Sequence, residues 1–256
     1  MSDRRTTPDP RLVDGTRPAQ IAVPLADLRA APDGARDRQL ILGDPVTILG
    51  ATQDHAYLRS EKDGYIGFVA QDALGPPSTA THIVTSLATH AYAAPDIKSP
   101  DTATLTFGSR LTALSGTPGF VETALGHVPK QHLGPADWQA QDPVDIARLF
   151  LGTPYLWGGN SRLGLDCSGL VQAALLACGQ ACPGDSDMQQ SLGTEVTGEV
   201  RRGDLLFWKG HVAMAADAQT LIHANAHAMA TVYEDRAAAI ARIAQSDGPV
   251  IAHRRL

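Results

Sequence analysis

The chain has 256 residues, with 27 Asp and Glu against 21 Lys and Arg, and a formal net charge of −6. This length accommodates two or three small domains, and the acidic balance excludes the basic footprint of proteins that bind nucleic acid or anionic membranes. Only three cysteines occur, and Cys178 and Cys182 lack companion zinc ligands, so neither a disulfide scaffold nor a metal site is expected. We expect no cofactor, and the oligomeric state stays open.

The N-terminal segment is charged and interrupted by proline, as Met1–Pro10 shows. It lacks the apolar core of about seven residues that a secretory signal contains. No transmembrane candidate occurs elsewhere. We therefore expect an extended or disordered arm over residues 1–20 and a cytoplasmic protein.

The next part of the chain repeats itself in three blocks that keep the same order. The matched pairs are Ala31–Asp33 with Ala94–Asp96, Leu40–Leu49 with Leu105–Leu114, and Gly67–Gly75 with Gly126–Gly134. A period of about sixty residues with short alternating strands and turns predicts a duplicated small β-barrel. Both copies resemble bacterial Src-homology-3-like domains. Turn residues after each last block place the barrels at residues 21–77 and 78–136.

The third segment, residues 137–256, has the pattern of an α+β domain. Asp142 followed by Pro143 predicts the start of a helix, with its apolar face at Val144, Ile146, Ala147, Phe150 and Leu151. Apolar stretches at residues 205–208, 212–215, 221–224 and 250–252 predict the strands of an antiparallel sheet.

Cys167 lies at the predicted start of a second helix in this segment. Asp166 occupies the N-cap position, apolar residues follow at helical spacing, and Gly179 marks the end. The positive end of a helix lowers a thiol pKa, so Cys167 is the candidate nucleophile and should alkylate fastest of the three cysteines near neutral pH. Trp157 and two glycines upstream leave room for a substrate strand beside the sulfur. The alternative is a buried cysteine that merely starts a core helix.

Two histidines supply a candidate base and orienting group. His211 and His223 lie in strand-like segments separated by residues of turn composition. A three-residue loop, Asp217–Gln219, puts both side chains on one sheet face, whereas a two-residue loop puts them on opposite faces. Together with Cys167 they form the nucleophile, base and orienter of thiol catalysis, although either histidine alone is typical of an ordinary core or surface position.

These motifs resemble the NlpC-type family of papain-like cysteine peptidases over roughly residues 141–233. The resemblance rests on Asp166-Cys167-Ser168-Gly169, Gly203-Asp204-Leu-Leu-Phe, Gly210-His211-Val and His223. It implies a papain-like fold with Cys167 as nucleophile, His211 as base and His223 as the third member. It also implies Tyr155 near the oxyanion, and cleavage of the bond between γ-D-glutamate and a diamino acid, diaminopimelate or lysine, in murein peptides.

Further substrate contacts are assigned partly from the same resemblance. Ser168 belongs to the cysteine motif, and Ser186 and Gln189 match an Asp-Ser-x-x-Gln pattern in which Gly184 replaces a frequent arginine. Asp185 or Ser186 instead caps the next helix in the alternative interpretation. Trp157 is a weaker candidate.

Carboxylates are expected to recognise a free α-ammonium on the substrate. Asp166 is one candidate, and Glu61 or Asp63 of the first barrel is the second, although a turn before Gly64 also explains these barrel acids. A peptidase in the cytoplasm meets recycled murein peptides with a free N-terminal L-alanine. The alternatives are an amidase or acyl-transfer enzyme with the same thiol chemistry, and a non-catalytic wall-binding module.

Overall fold

The computed structural model describes residues 3–256, which form two compact units. One unit runs to Trp138, and the other is Gln139–Leu256. The first is built from strands β1–β15 and three short 3-10 helices, and the second from helices α1–α4 and strands β16–β23. Among the described residues, no helix has both the length and the apolar character needed to cross a membrane.

The elements of the first unit are short. The strands are β1 Arg17–Ile21, β2 Leu25–Arg29, β3 Arg36–Ile41, β4 Pro45–Ala51, β5 His55–Ser60, β6 Ile66–Ala70, β7 Leu74–Gly75, β8 His82–Val84, β9 Ala88–Tyr92, β10 Asp101–Thr106, β11 Arg110–Leu111, β12 Ser115–Gly116, β13 Phe120–Thr123, β14 Gly126–Pro129 and β15 Leu133–Pro135. The 3-10 helices are Pro10–Leu12, Gln71–Ala73 and Lys130–His132.

The duplicated sequence blocks fold into matching strands. The first copy is one sheet in the order β3-β2-β6-β5-β4-β1-β7, and the second forms the sheets β10-β9-β14-β13-β12 and β11-β8-β15. Leu40 and Leu105 occupy matched positions in the sequence, and both are 0% exposed in the cores of their copies. These matched positions therefore lie in the core of each barrel, as the alternation of apolar and polar residues predicts.

The described N-terminal segment is ordered, so of the expected extended or disordered arm the disordered alternative is wrong. The backbone N–H of Asp9 donates to the Tyr57 hydroxyl at 2.9 Å, and that of Asp14 donates to the carbonyl of Leu49 at 2.8 Å. Strand β1 begins at Arg17, inside the range assigned to the arm. Hydrogen bonds to the first barrel hold this segment in place, and residues 1 and 2 of the expected arm lie outside the described part of the chain.

The second unit contains four helices and a mainly antiparallel sheet. The helices are α1 Pro143–Leu149, α2 Cys167–Ala177, α3 Ser186–Gln189 and α4 Arg236–Ile243; the strands are β16 Asn160–Ser161, β17 Gly164–Leu165, β18 Thr194–Glu195, β19 Leu205–Trp208, β20 His211–Ala215, β21 Thr220–Asn225, β22 Ala230–Asp235 and β23 Ala252–Arg255. Six strands form one sheet in the order β18-β23-β19-β20-β21-β22. The side chain of Asp142 caps α1 at Val144, as its sequence predicts.

Asp204 fixes the sheet strand that leads to His211. Its side chain is 1% exposed and accepts hydrogen bonds from Arg255 and His253 on the neighbouring strand β23. These charge-assisted bonds lower the pKa of Asp204 to about 2. The Gly203-Asp204 motif therefore has a structural role, because it joins β19 to the last strand.

Candidate active site

Cys167 is the first residue of α2, where Asp166 caps the helix. One carboxylate oxygen of Asp166 accepts from the Gly169 N–H at 2.6 Å and the Ser168 hydroxyl at 3.0 Å, and the other accepts from the Gly158 N–H at 2.9 Å. The predicted N-cap is confirmed. These bonds tie Asp166 to the helix start and the preceding loop, and since a carboxylate accepts up to about four hydrogen bonds, its predicted contact with a substrate ammonium stays a prediction.

Tyr155 is held near the thiol by a neighbouring turn. Its backbone N–H donates to the carbonyl of Met229 at 2.9 Å, and Met229 has a left-handed φ of 51°. Burial, Cys167 and Asp166 together raise the pKa of the Tyr155 hydroxyl to about 12. The hydroxyl therefore stays protonated and is suited to donate a hydrogen bond to a developing oxyanion.

The hairpin β20–β21 brings the two predicted histidines together. Met214 pairs with Ile222, and the Ala216 N–H donates to the carbonyl of Thr220, which leaves the three-residue loop that the sequence predicts. His211 and His223 consequently share a sheet face, and His211 Nε2 lies 2.9 Å from His223 Nδ1.

The network continues to two residues that the sequence analysis missed. His223 Nε2 lies 2.9 Å from Glu234 Oε2, and Arg242 donates from Nε and Nη2 to the two oxygens of Glu234 at 2.9 and 2.7 Å. The arginine lowers the pKa of Glu234 and keeps it a carboxylate. The result is a chain from His211 through His223 to an ionised acid.

The carboxylate of Glu234 selects the tautomers along this chain. The Asn225 amide also lies 3.0 Å from His223 Nε2, and it is oriented by the Ala228 N–H, which donates to Asn225 Oδ1. An acceptor and a donor therefore compete for one ring nitrogen, and the ionised acceptor forms the stronger bond. We assign the proton of His223 to Nε2 and that of His211 to its Nε2, which leaves His211 Nδ1 bare as the base.

Burial sets the protonation of the reacting pair, and it corrects one expectation. Cys167 is 7% exposed, and burial together with Asp166 raises the pKa of its thiol to about 12. Burial and the neighbouring His223 lower the pKa of His211 to about 3. The helix start does not produce a resting thiolate, because desolvation outweighs the helix dipole and the backbone N–H of Val212, which lowers this pKa. Burial therefore opposes the thiolate that the helix start favours, and fastest alkylation of Cys167 among the three cysteines stays a prediction.

The thiol of Cys167 is neutral and contacts the backbone N–H of Val212, the residue that follows the neutral His211, in a largely buried site. Such a pair is suited to transfer the thiol proton to His211 Nδ1 as the sulfur attacks, so that the charges form only when a substrate is present. The imidazolium is then stabilised through His223 by Glu234.

The remaining residues that the sequence predicts to bind substrate differ in how exposed their side chains are. Trp157 is 69% exposed, Ser168 is 7% exposed, and Ser186 is 9% exposed as the first residue of α3. Gln189 is 0% exposed and donates to the carbonyls of Ser168 and Pro183. Assigning Gln189 to the substrate was wrong, because its amide is used inside the protein to hold α3 against the start of α2.

The two acidic residues of the first barrel also differ in the exposure of their side chains. The side chain of Asp63 is 0% exposed and lies 3.6 Å from the guanidinium of Arg38, so it does not project from the barrel as expected. Glu61 retains a side chain that is 40% exposed and accepts from the Thr47 hydroxyl at 2.6 Å. Glu61 alone of this pair therefore stays a candidate for substrate binding.

A prediction for Glu234 follows from the tautomer assignment. Replacing Glu234 with Met removes the acceptor at nearly constant size, and we expect kcat to fall about 10- to 100-fold with little change in KM. Asn225→Asp in the same background returns a carboxylate to His223 Nε2 and should restore most of kcat. The ¹⁵N shifts of both imidazoles provide the independent measurement. A loss that Asn225→Asp does not reverse, with unchanged tautomers, would contradict the assignment.

A second prediction concerns stability in acid. His211 has a pKa of about 3 in the folded protein, whereas an imidazole in an unfolded chain has an ordinary value of about 6.5. Between these values the unfolded chain binds a proton that the folded one does not. The free energy of unfolding should therefore fall as pH decreases below about 6.5, by up to about 1.4 kcal/mol per pH unit from this group. Urea unfolding at pH 7, 6 and 5 should show a shallower loss in His211→Gln, and equal slopes would contradict the shift.

A cleft of about 440 Å³ opens beside the imidazole of His211. It begins at Tyr155 and His211 and extends past Asn225 to Arg242 and Asp247. The protein therefore offers space next to the base for part of a bound molecule.

Known proteins share both parts of this chain. The NlpC/P60 family model matches residues 152–242, and the model of the bacterial dipeptidyl-peptidase Sh3 domain matches residues 28–74. Dipeptidyl-peptidase 6 of Lysinibacillus sphaericus is 30% identical over 230 residues, which cover 78% of this chain and 85% of that protein.

A further sequence relative and a solved structure also match this chain. The γ-D-glutamyl-L-lysine dipeptidyl-peptidase of Bacillus subtilis is 41% identical over 70 residues, 27% of this chain and 24% of that protein. The crystal structure of an NlpC/P60 family protein from Bacillus cereus superposes with a TM-score of 0.77 at 21% identity, covering 93% of this chain and 99% of the other. The α+β fold with preceding barrels is thereby confirmed. Long coverage by a 30% identical relative, together with the match of residues 152–242, shows that this chain belongs to the NlpC/P60 family of cysteine peptidases.

Proposed function

We propose that this peptidase hydrolyses the bond between γ-D-glutamate and an L-diamino acid in murein peptides that carry a free N-terminal L-alanine. The observation that carries the proposal is the buried Cys167 at the start of α2, in the same unit as the His211–His223–Glu234 chain. The names of the Lysinibacillus and Bacillus relatives, which describe dipeptidyl-peptidases, support removal of two residues from a free amino end.

The proposed reaction proceeds through a thioester. His211 Nδ1 takes the proton of Cys167, and the sulfur attacks the γ-carbonyl carbon of D-glutamate. The oxyanion accepts from the backbone N–H of Cys167 and from the Tyr155 hydroxyl, donors that are each worth roughly 2–4 kcal/mol in the transition state. The protonated His211 then gives its proton to the leaving amine, and water hydrolyses the thioester.

A free α-ammonium is part of the proposed specificity. An ionised acid that pairs with this ammonium is left unpaired when the amine is acylated, and Glu61 is a candidate for that acid. Such a loss is worth a few kcal/mol, so N-acetylation should lower kcat/KM by a hundredfold or more. Soluble recycled fragments in the cytoplasm fit this requirement, because the stems of intact wall carry no free L-alanine amine.

Mass spectrometry of the products tests the proposal. L-Ala-γ-D-Glu-meso-diaminopimelate should yield L-Ala-D-Glu and the free diamino acid, and its N-acetylated or muramyl-linked form should react at least a hundredfold more slowly. Similar rates on both forms, or efficient digestion of intact sacculi, would contradict the free-amine requirement. A product joined to a new acyl acceptor would indicate an acyl-transfer enzyme instead.

A further inference from the structure

The indole of Trp208 lies against the imidazole of His211. Trp208 is the last residue of β19 and pairs directly with His211, the first residue of β20, so only Lys209 and Gly210 form the turn between them. Directly paired residues of an antiparallel hairpin project from the same face of the sheet. The two ring centroids are 5.7 Å apart, and the ring planes are inclined by 41°. The hairpin therefore holds an aromatic ring beside the proposed base.

Trp208 is completely buried, and its indole N–H has no acceptor among residues 3–256. The side chain belongs to the hydrophobic cluster that also contains Leu206, Ala213 and Ile243. The ring is thereby shielded from solvent, in surroundings where an electrostatic attraction is weakened least. The contribution of Trp208 to the site therefore comes from its ring and not from its N–H.

The imidazole of His211 has to gain a positive charge during the proposed reaction, in surroundings that disfavour it. Burial lowers the pKa of His211 most, and His223 and Arg242 lower it further. Asp247 and Glu234 act in the opposite direction and raise it. An aromatic ring attracts a cation within about 6 Å of its centroid, and the indole of tryptophan does so most strongly. The separation of 5.7 Å brings the imidazole within that range.

We propose that Trp208 is a positioning residue for catalysis, whose π electrons stabilise the imidazolium that His211 becomes when it takes the thiol proton. The inference rests on the proposed thiol mechanism and adds to it a residue that acts through the base. The neutral imidazole of the resting enzyme gains little from the ring, because a cation–π attraction requires the charge. Trp208 therefore stabilises the transition state more than the ground state, and its effect belongs to kcat rather than to KM.

Fluorinated tryptophans test this role, because fluorine withdraws electrons from the π face and changes the size of the ring little. The protein is produced with tryptophan, 5-fluorotryptophan or 5,6-difluorotryptophan, and kcat on L-Ala-γ-D-Glu-meso-diaminopimelate is measured for each form. We expect kcat to fall about twofold per fluorine with KM unchanged, and Trp208→Leu to lower kcat about tenfold. A residue that only packs would give equal kcat values across the fluorinated series.

Trp208→Phe, produced with the same three amino acids, is the matched control. The chain has two other tryptophans, Trp138 and Trp157, and any effect of fluorine in this variant measures their share. A fall in kcat as large in Trp208→Phe as in the wild type would overturn the inference, and so would the absence of any fall. Thermal unfolding of each form shows whether the fold is retained.

Alkylation of Cys167 separates this inference from the proposed function. Iodoacetamide reacts with the thiolate, which forms when the proton has moved to His211, and no peptide substrate is needed. Peptide mapping distinguishes Cys167 from Cys178 and Cys182. The rate of alkylation should fall with each fluorine as kcat does, and a rate independent of fluorine would overturn the role of Trp208 while the proposed function stands. Failure of the wild type to cleave the tripeptide would overturn the proposed function, and the alkylation series would still decide the role of Trp208.

Discussion

Replacing Cys167 with alanine should reduce kcat on L-Ala-γ-D-Glu-meso-diaminopimelate by at least about 10⁴-fold. The sulfur is the atom that forms the proposed thioester, and no other described cysteine starts a helix beside a histidine pair. The fold should survive, since alanine keeps the helix start and leaves the Asp166 cap in place. Product formation followed by mass spectrometry measures the loss, and circular dichroism checks the fold.

Cys178→Ala is the matched control for this prediction. Cys178 follows the last residue of the same helix, is only partly buried and lies outside the His211–His223 network, so its removal should leave kcat within about twofold. Substantial turnover by Cys167→Ala would rule out the thiol mechanism, whatever the control shows.

Replacing His211 with alanine should be nearly as damaging as removing the thiol. Burial raises the pKa of the Cys167 thiol, so attack depends on proton transfer to this imidazole. Losses within a catalytic unit are not additive, and the double variant Cys167→Ala, His211→Ala should be no slower than either single one. Steady-state kinetics of the three variants provides the measurement.

His223→Gln should cause a smaller loss than His211→Ala. A neutral amide oxygen at this position still accepts from His211 Nε2–H and keeps Nδ1 as the base, although it no longer connects the ring to Glu234. We expect a reduction of about 10- to 100-fold in kcat. Equal losses from His211→Ala and His223→Gln would contradict the role of His223 as the orienting residue.

The sequence was sufficient to predict those parts of the site that depend on local pattern. The N-cap at Asp166 and the helix from Cys167 follow from residues within one or two turns. The pairing of His211 with His223 follows from strand parity once a three-residue loop is assumed, and the structure has that loop. Both inferences need only periodicity and turn composition.

Glu234 and Arg242 were missed because their positions depend on the next loop. Strand β22 pairs Val232 with His223, so Glu234 lies on the same face two residues farther along. That register is set by the four-residue connection 226–229, with Met229 in a left-handed conformation that its residue type does not suggest. A charged residue at the end of a strand gave no signal that it would complete the histidine chain.

The thiol pKa and the role of Gln189 were misjudged for a related reason. The helix-start argument for Cys167 uses only local backbone dipoles, whereas the surrounding protein determines desolvation. Gln189 matches a family pattern in sequence, yet tertiary packing buries its amide against two backbone carbonyls. Burial is a property of the folded chain, and neither motif nor spacing predicts it at a single residue.

The most direct test of the central claim is acyl-enzyme trapping with the p-nitrophenyl γ-ester of L-Ala-D-Glu. An activated ester acylates rapidly, so hydrolysis of the thioester becomes the slow step and the intermediate accumulates. We predict a burst of p-nitrophenol equal to the enzyme concentration, and a dipeptidyl adduct that peptide mapping assigns to Cys167. Ester turnover by the wild type with the adduct on another residue, or equal turnover by Cys167→Ala, would contradict the account.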